Sequence, residues 1–248
     1  MNREEFRAGF GSSHAVVLPV IHVLSAEQAI SNIKIAKSCG CPGVFLINHD
    51  FGIEPFLPVI KEVRKQFPDY WIGINFLAVT GLEAFPILCQ LELDNCRIDA
   101  YWADDARIDE ARSSNEQTEA RNILQMKQTK GWRGMYFGGT AFKKQREVAP
   151  ENYEVSAKIA CDYMDVVTTS GVATGHAADT GKVEIFRKAC GEKPIALASG
   201  ITPENVATYA NLIDCIMVAT GINIKNDFYN IDPIRLKKLF DNLREKTG

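Results

Sequence analysis

The sequence predicts a single (β/α)8 barrel, the TIM-barrel fold, over residues 1–248, with residues 1–14 as an N-terminal extension. Short runs rich in β-branched residues alternate along the chain with amphipathic stretches of helical periodicity, eight times in succession. A length of 248 residues suits one barrel of this kind. Because no shift in composition marks a linker, one domain is expected.

Several of the strand segments are continuously apolar, as expected of parallel strands that are buried on both faces. The predicted strands are 16–23, 43–48, 71–77, 98–103, 134–137, 165–169, 195–199 and 215–219. The alternative is a doubly wound sheet, which usually carries a glycine-rich fingerprint after its first strand. Here the first strand ends in His22-Val23-Leu24, which favours the barrel.

Helix start and stop signals separate these strands. Ser25 precedes one helix with capping-box spacing, and Thr202 followed by Pro203 begins another. Gly131 and Gly191 stand where helices are expected to end. The predicted helices are 26–38, 55–66, 82–91, 116–129, 151–162, 180–190, 203–211 and 232–245.

Composition excludes several classes of protein. With 46% hydrophobic residues and a net charge of -3, the chain is not disordered. It has no clustered basic run of the kind that nucleic-acid binding needs, and no apolar stretch of about 18–20 residues that could cross a membrane. The seven cysteines are odd in number and scattered, which indicates reduced thiols and a cytoplasmic protein. A homo-oligomer is compatible with this composition.

Polar residues follow the predicted strands, at the end of a barrel where active sites form. His22 ends the first strand, Asn48 and Asp50 lie at the end of the second, and Asp104 follows the fourth. A histidine beside carboxylates suits proton transfer near neutral pH, so His22, Asp50 and Asp104 are the candidate catalytic residues. A buried core histidine is the alternative for His22. No cofactor is predicted. These carboxylates could also bind a divalent cation, although the sequence lacks the ligand spacing of a dedicated metal site.

The strongest chemical motif follows the seventh and eighth predicted strands. Ser199, Gly200 and Thr202 lie after the former, and Thr220 and Gly221 after the latter. Glycine lets the backbone approach an anion closely, and these two loops hold phosphate in many barrels. The alternative is that both glycines only turn the chain from strand to helix.

The loop after the sixth strand is rich in hydroxyl groups and glycine. It contributes Thr169, Ser170, Gly171 and Thr174 as further candidate ligands of a phosphorylated molecule. It is not a P-loop, because His176 stands where that motif has lysine. The alternative is a surface loop.

These motifs resemble the BtpA/SgcQ family of TIM-barrel proteins. The resemblance lies in TTSGVATG from Thr168, in SGITPENV from Ser199, in VATGI from Val218 and in the ending Asn230-Ile231-Asp232-Pro233-Ile234-Arg235. The first two strand ends depart from the family pattern, since no proline-rich loop follows His22 and Asn48-His49 replaces a Glu-Asn pair.

Two functions are therefore expected. The first is an enzyme that acts on a small phosphorylated substrate, a sugar phosphate or nucleotide, by isomerisation, aldol or phosphoribosyl chemistry. No lysine lies at a predicted strand end, which disfavours a Schiff-base aldolase. The second, which the resemblance also implies, is a non-catalytic assembly or regulatory factor that retains a ligand pocket.

Overall fold

The structure, a computed structural model, describes residues 1–143, 146–171 and 177–247. Eight parallel strands close into a barrel in their order along the chain, which confirms the predicted (β/α)8 fold. The strands are β1 (Val16–His22), β2 (Gly43–Ile47), β3 (Trp71–Asn75), β4 (Ala100–Ala103), β5 (Met135–Gly139), β6 (Val166–Ser170), β7 (Ile195–Ala198) and β8 (Cys215–Val218).

Within the described residues, eight α-helices follow the strands and a ninth precedes them. They are α1 (Arg3–Gly9), α2 (Ala26–Ser38), α3 (Ile53–Gln66), α4 (Gly81–Leu93), α5 (Thr118–Lys130), α6 (Tyr153–Ala160), α7 (Thr180–Cys190), α8 (Val206–Tyr209) and α9 (Pro233–Thr247). Helix α8 is shorter than the predicted 203–211, because residues 199–205 form a tight turn whose internal hydrogen bonds delay the helix.

Side chains alternate between the barrel interior and the layer under the helices, as the period of a strand requires. In β1, Val16, Leu18 and Val20 belong to the interior cluster, whereas Val17 and Ile21 pack under the helices. Continuing this alternation places His22 on the interior side at the open end of the barrel.

Helix α1 closes the opposite end of the barrel. Phe6 is fully buried among the interior residues, and its ring centroid lies 6.1 Å from that of Phe137. Arg3 and Arg7 reach the fully buried carboxylate of Asp214 at 2.9 and 2.6 Å. This helix lies in the predicted N-terminal extension, residues 1–14, for which no helix was expected.

The parallel register brings the carboxyl ends of the strands to one rim. His22 pairs with Ile47, and Ile47 in turn pairs with Asn75. Polar residues that directly follow these positions therefore lie around one opening. Within the described residues, no helix is both long and apolar enough to span a membrane.

Candidate functional site

A cavity of about 300 Å³ opens at the carboxyl end of the barrel; we call it the mouth cavity. Its floor and much of its wall are apolar, and Trp102 and Met217 are among the residues that line it. Polar side chains reach it from six strands or the loops that follow them, namely His22, His49, Asp104, Lys143, Ser199 and Thr220. A concave, mostly apolar site with a few converging polar groups is typical of small-molecule binding.

The loop after β7 turns sharply into the mouth cavity. Ser199 and Gly200 both have left-handed backbones, with φ of +80° and +74°. Asn205 braces the turn, because its side chain accepts from Thr202 N at 2.8 Å and donates to Gly200 O at 2.8 Å. Thr202 does not line the cavity, and its hydroxyl accepts a bond from Glu204 N.

The loop after β8 touches the loop after β7. A Cβ built on Gly221 would lie 1.9 Å from the carbonyl oxygen of Ile201, so only glycine allows this approach. Behind the loop, Arg235 donates through Nε and Nη2 to Gly221 O at 3.0 and 2.9 Å. Gly200 and Gly221 therefore lie in adjoining turns on one wall of the mouth cavity.

The N–H groups of Gly200, Thr220 and Gly221 donate to no other residue within the described part of the chain. Adjacent N–H groups around left-handed turns form concavities that bind anions. The turn at Ser199 and Gly200 is left-handed in this way.

His22 ends β1, the strand that pairs with β8, so it lines the cavity next to these loops; it is 7% exposed. Burial, followed by the nearby charge of His49, lowers the pKa of His22 to about 4, and Lys143 acts in the same direction. Asp50 and a backbone hydrogen bond of Phe228 oppose this decrease in pKa. His22 is therefore neutral at pH 7 and can accept a proton from a bound molecule.

The end of β2 presents His49 to the cavity and turns Asp50 away from it. The ring of His49 meets that of His22 edge to face, with centroids 5.5 Å apart. Asp50 does not line the mouth cavity; it accepts a hydrogen bond from the Tyr229 hydroxyl at 3.0 Å and lies 3.6 Å from His49 Nδ1.

Asp104, which follows β4, lines the cavity and is oriented by a neighbour. The fully buried Asn75 of β3 donates through Nδ2 to Asp104 Oδ1 at 3.2 Å. This contact fixes one carboxylate oxygen, as expected of a group that must hold a defined position over a ligand.

Lys143 reaches the mouth cavity from the loop after β5. Its backbone N–H donates to Ser170 Oγ at 2.7 Å, and the Ser170 hydroxyl donates to Gly171 O at 2.8 Å. The ammonium of Lys182 binds Ser170 O at 2.9 Å and also contacts Ala141 O, and burial lowers its pKa to about 8. Ser170 and Gly171 thus support the loop that carries Lys143, and they do not line the cavity.

The other predicted ligands lie elsewhere. Asn48 joins two loops, since its amide accepts from Leu77 N and donates to Phe51 O. Thr169 is fully buried, with its hydroxyl 3.4 Å from Ala141 O. Neither Asn48 nor Thr169 lines the mouth cavity. Thr174 lies outside the described residues.

The mouth cavity therefore brings together six of the predicted site residues, and these are His22, Asp104, Ser199, Gly200, Thr220 and Gly221. It adds His49, Lys143 and Trp102, which sequence reasoning did not select. His49 continues the side of β2 on which Phe45 and Ile47 face the interior, but β2 is apolar on both faces, so its sequence did not show which side that is.

Several buried polar atoms near this end of the barrel find no hydrogen-bond partner within the described residues. Three of them belong to residues of the cavity wall, and they are His22 Nδ1, Trp102 Nε1 and Ser199 Oγ. Buried polar atoms are rarely left unpaired, and such groups are more common where a ligand or water completes the site. No group of three or more side chains able to hold a metal ion occurs within residues 1–143, 146–171 and 177–247.

Known structures with the same fold span almost the whole chain. The alpha subunit of tryptophan synthase from Legionella pneumophila str. Paris has a TM-score of 0.65 at 14% identity, covering 99% of each chain. Phosphoribosyl anthranilate isomerase from Thermus thermophilus has a TM-score of 0.62 at 14% identity, covering 93% of this chain and 98% of its own. A native KDPGal structure has a TM-score of 0.62 at 10% identity, covering 93% of this chain and 95% of its own. The likeness is one of fold.

No family model matches the chain, and no curated protein matches it either. Resemblance to the BtpA/SgcQ family therefore stays a prediction from the motifs.

Proposed function

We propose that this protein is an enzyme that acts on a small phosphorylated compound, a sugar phosphate or nucleotide. The observation that carries the proposal is the contact between the loops after β7 and β8, where Gly221 lies against the Ile201 carbonyl and both loops line the mouth cavity. One phosphate at this wall would receive N–H bonds from Gly200, Thr220 and Gly221. Thr202 would support the turn from behind.

The rest of the cavity wall carries the groups for chemistry. His22 is neutral and would act as a proton acceptor, while Asp104 and His49 are the other acid and base candidates on the cavity wall. Lys143 adds a cation that can balance negative charge on a substrate. This division, with an anchor at two loops and titratable groups on the rest of the wall, suits isomerisation, aldol and phosphoribosyl chemistry.

The comparisons support the same substrate class by analogy of fold. Phosphoribosyl anthranilate isomerase, one of the similar structures, is named for a phosphorylated substrate. Since fold does not determine function, the geometry of the site carries the proposal and the analogy only adds to it.

The second candidate is a non-catalytic BtpA-like assembly or regulatory factor with a ligand pocket. The end of β2 favours this candidate, because the polar groups of Asn48 and Asp50 form hydrogen bonds between loops and do not face the cavity. Turnover separates the two functions. A phosphorylated compound that stabilises the folded protein but is never converted would support the regulatory factor.

Binding of inorganic phosphate tests the anchor. Gly200→Val adds a branched side chain at the cavity wall, and we expect phosphate affinity measured by calorimetry to fall by about tenfold or more, because hydrogen bonds to a charged group are lost. Gly131→Val is the matched control, since Gly131 has a φ of +71° and a Cβ there would meet open space. It imposes similar backbone strain far from the cavity. Equal affinity in the two variants would place the phosphate elsewhere.

A further inference from the structure

One face of the His22 ring is covered by an aromatic side chain from the far end of the sequence. The ring of Phe228 stacks on His22 with centroids 3.9 Å apart and an angle of 26° between the planes. Phe228 also meets His49 edge to face at 5.2 Å. With Phe228 on its face and His49 at its side, His22 is left open towards the mouth cavity.

The segment that carries Phe228, residues 223–231, is a hydrogen-bonded hairpin. Asn223 and Ile231 form an antiparallel bridge at its base, and Asn223 Nδ2 donates to Phe228 O at 2.8 Å. At its tip Asp227 accepts from Tyr229 N and Asn230 N at 2.7 and 3.0 Å. These bonds hold Phe228 in a defined position.

The hairpin is also fastened to the elements around His22. Tyr229 O accepts from Gln28 Nε2 at 2.8 Å and from Asn32 Nδ2 at 3.0 Å, both on α2. Gln28 also donates to the backbone oxygen of His22 at 3.2 Å. On the other side, the Tyr229 hydroxyl bonds to Asp50. One hairpin therefore links the ends of β1, β2 and β8.

We propose that Phe228 is a positioning residue, which holds the imidazole of His22 so that it faces the mouth cavity, with hairpin 223–231 as its frame. This inference rests on the proposed function for its purpose, because a proton acceptor must keep its distance and angle to the substrate. It also gives Asp50 a different task from the predicted one, that of anchoring the frame through Tyr229.

Stacking has a measurable effect on His22. A ring over its face keeps water away, which disfavours the charged imidazolium, whereas the negative face of the ring attracts it. Since burial is the largest influence on the pKa of His22, we expect the loss of cover to decide the sign. The other groups that act on His22 are His49 and Asp50 after β2, Lys143 after β5 and the backbone of Phe228, and Phe228→Leu leaves all of them in place. We therefore expect the midpoint of the His22 titration to rise by about one pH unit in Phe228→Leu.

Titration of the imidazole protons by NMR in the full-length protein tests the proposal. The chain has four histidines, so the signal that His22→Gln removes is assigned to His22. Phe228→Tyr keeps the stacked ring and should restore the parent titration. Phe51→Leu is the matched control, because Phe51 lies after β2 and meets Phe56 of α3 edge to face, whereas it makes no ring contact with His22 within the described residues. Phe228→Met, which keeps most of the volume, replaces Phe228→Leu if that variant does not fold.

Two results would overturn the proposal. One is a His22 midpoint in Phe228→Leu or Phe228→Met that equals the parent value; the other is an equal rise in Phe228→Tyr or Phe51→Leu. Phosphate affinity separates this inference from the proposed function. We expect Phe228→Leu to bind phosphate as the parent does, whereas failure of the proposed function would appear in Gly200→Val, whatever the His22 titration shows.

Discussion

In the proposed function, His22 is the proton acceptor of the mouth cavity. Its imidazole is neutral at pH 7 because burial lowers its pKa to about 4, below the ordinary value of 6.5. A pKa of about 4 makes the imidazole a weak base, and the negative charge of a bound phosphate would raise this pKa towards the range useful for catalysis. In the proposed enzyme, burial would keep the ring uncharged until a negatively charged ligand binds.

Replacement of His22 by glutamine separates a catalytic role from a structural one. If His22 transfers protons, we expect turnover of a phosphorylated substrate to fall by about 10²–10⁴-fold while phosphate affinity is kept. His14→Gln is the control, since His14 precedes β1 at the opposite end of the barrel. A His22→Gln variant with parental turnover, or one in which turnover falls only as far as stability, would assign His22 to the core.

The same residue predicts how stability depends on pH. The unfolded chain binds a proton at His22 below about pH 6.5, whereas the folded protein does so only near pH 4. The stabilisation from neutral His22 is therefore complete above pH 6.5 and is lost as the pH falls to about 4, amounting to about 3 kcal/mol. Denaturant unfolding at several pH values should show this loss in the parent and a smaller slope in His22→Gln. Equal slopes would contradict it.

At the scale of elements, the strands and the outer helices were predictable and the helix at the amino end was not. Eight apolar runs predict eight strands, because parallel strands are buried on both faces. Helix α1 is short and mostly charged, and only Phe6 is buried. Its signal was the capping box of Asn2 and Glu5, which the structure forms in both directions.

Helix α1 contributes stability and no part of the mouth cavity. Phe6→Ala should lower the free energy of unfolding by about 3–5 kcal/mol, because a fully buried ring is lost from the barrel interior. Phe10→Ala is the matched control, since Phe10 packs on Trp71 and is only partly buried, and it should cost less. Denaturant unfolding measures both variants. A loss in Phe6→Ala no larger than in Phe10→Ala would show that α1 does not close the barrel.

Across the whole molecule, local sequence located the carboxyl rim of the barrel but did not decide which rim residues face inward. Asn48, His49 and Asp50 are consecutive, and only His49 lines the mouth cavity. Because β2 is apolar on both faces, its pattern hides which residues point into the barrel. Phe228 is 206 residues from His22, and no local motif predicts a contact over that distance.

In the proposed function the ligand binds at the open end of the barrel, away from the closed end where α1 packs, and this predicts how variants respond to a ligand. A phosphorylated compound at about 100 times its dissociation constant stabilises the folded state by about 2.7 kcal/mol, which raises the melting temperature of a domain of this size by about 5–10 °C. Phe6→Ala should melt at a lower temperature yet gain a similar increment, since its change lies at the other end of the barrel. Gly200→Val should lose this ligand-dependent increase in melting temperature.

Thermal unfolding of the parent and both variants, with and without a series of sugar phosphates and nucleotides, measures this. An increment that disappears in Phe6→Ala and survives in Gly200→Val would place the ligand at the closed end, against Arg3, Arg7 and Asp214, and would contradict the phosphate anchor at the mouth cavity.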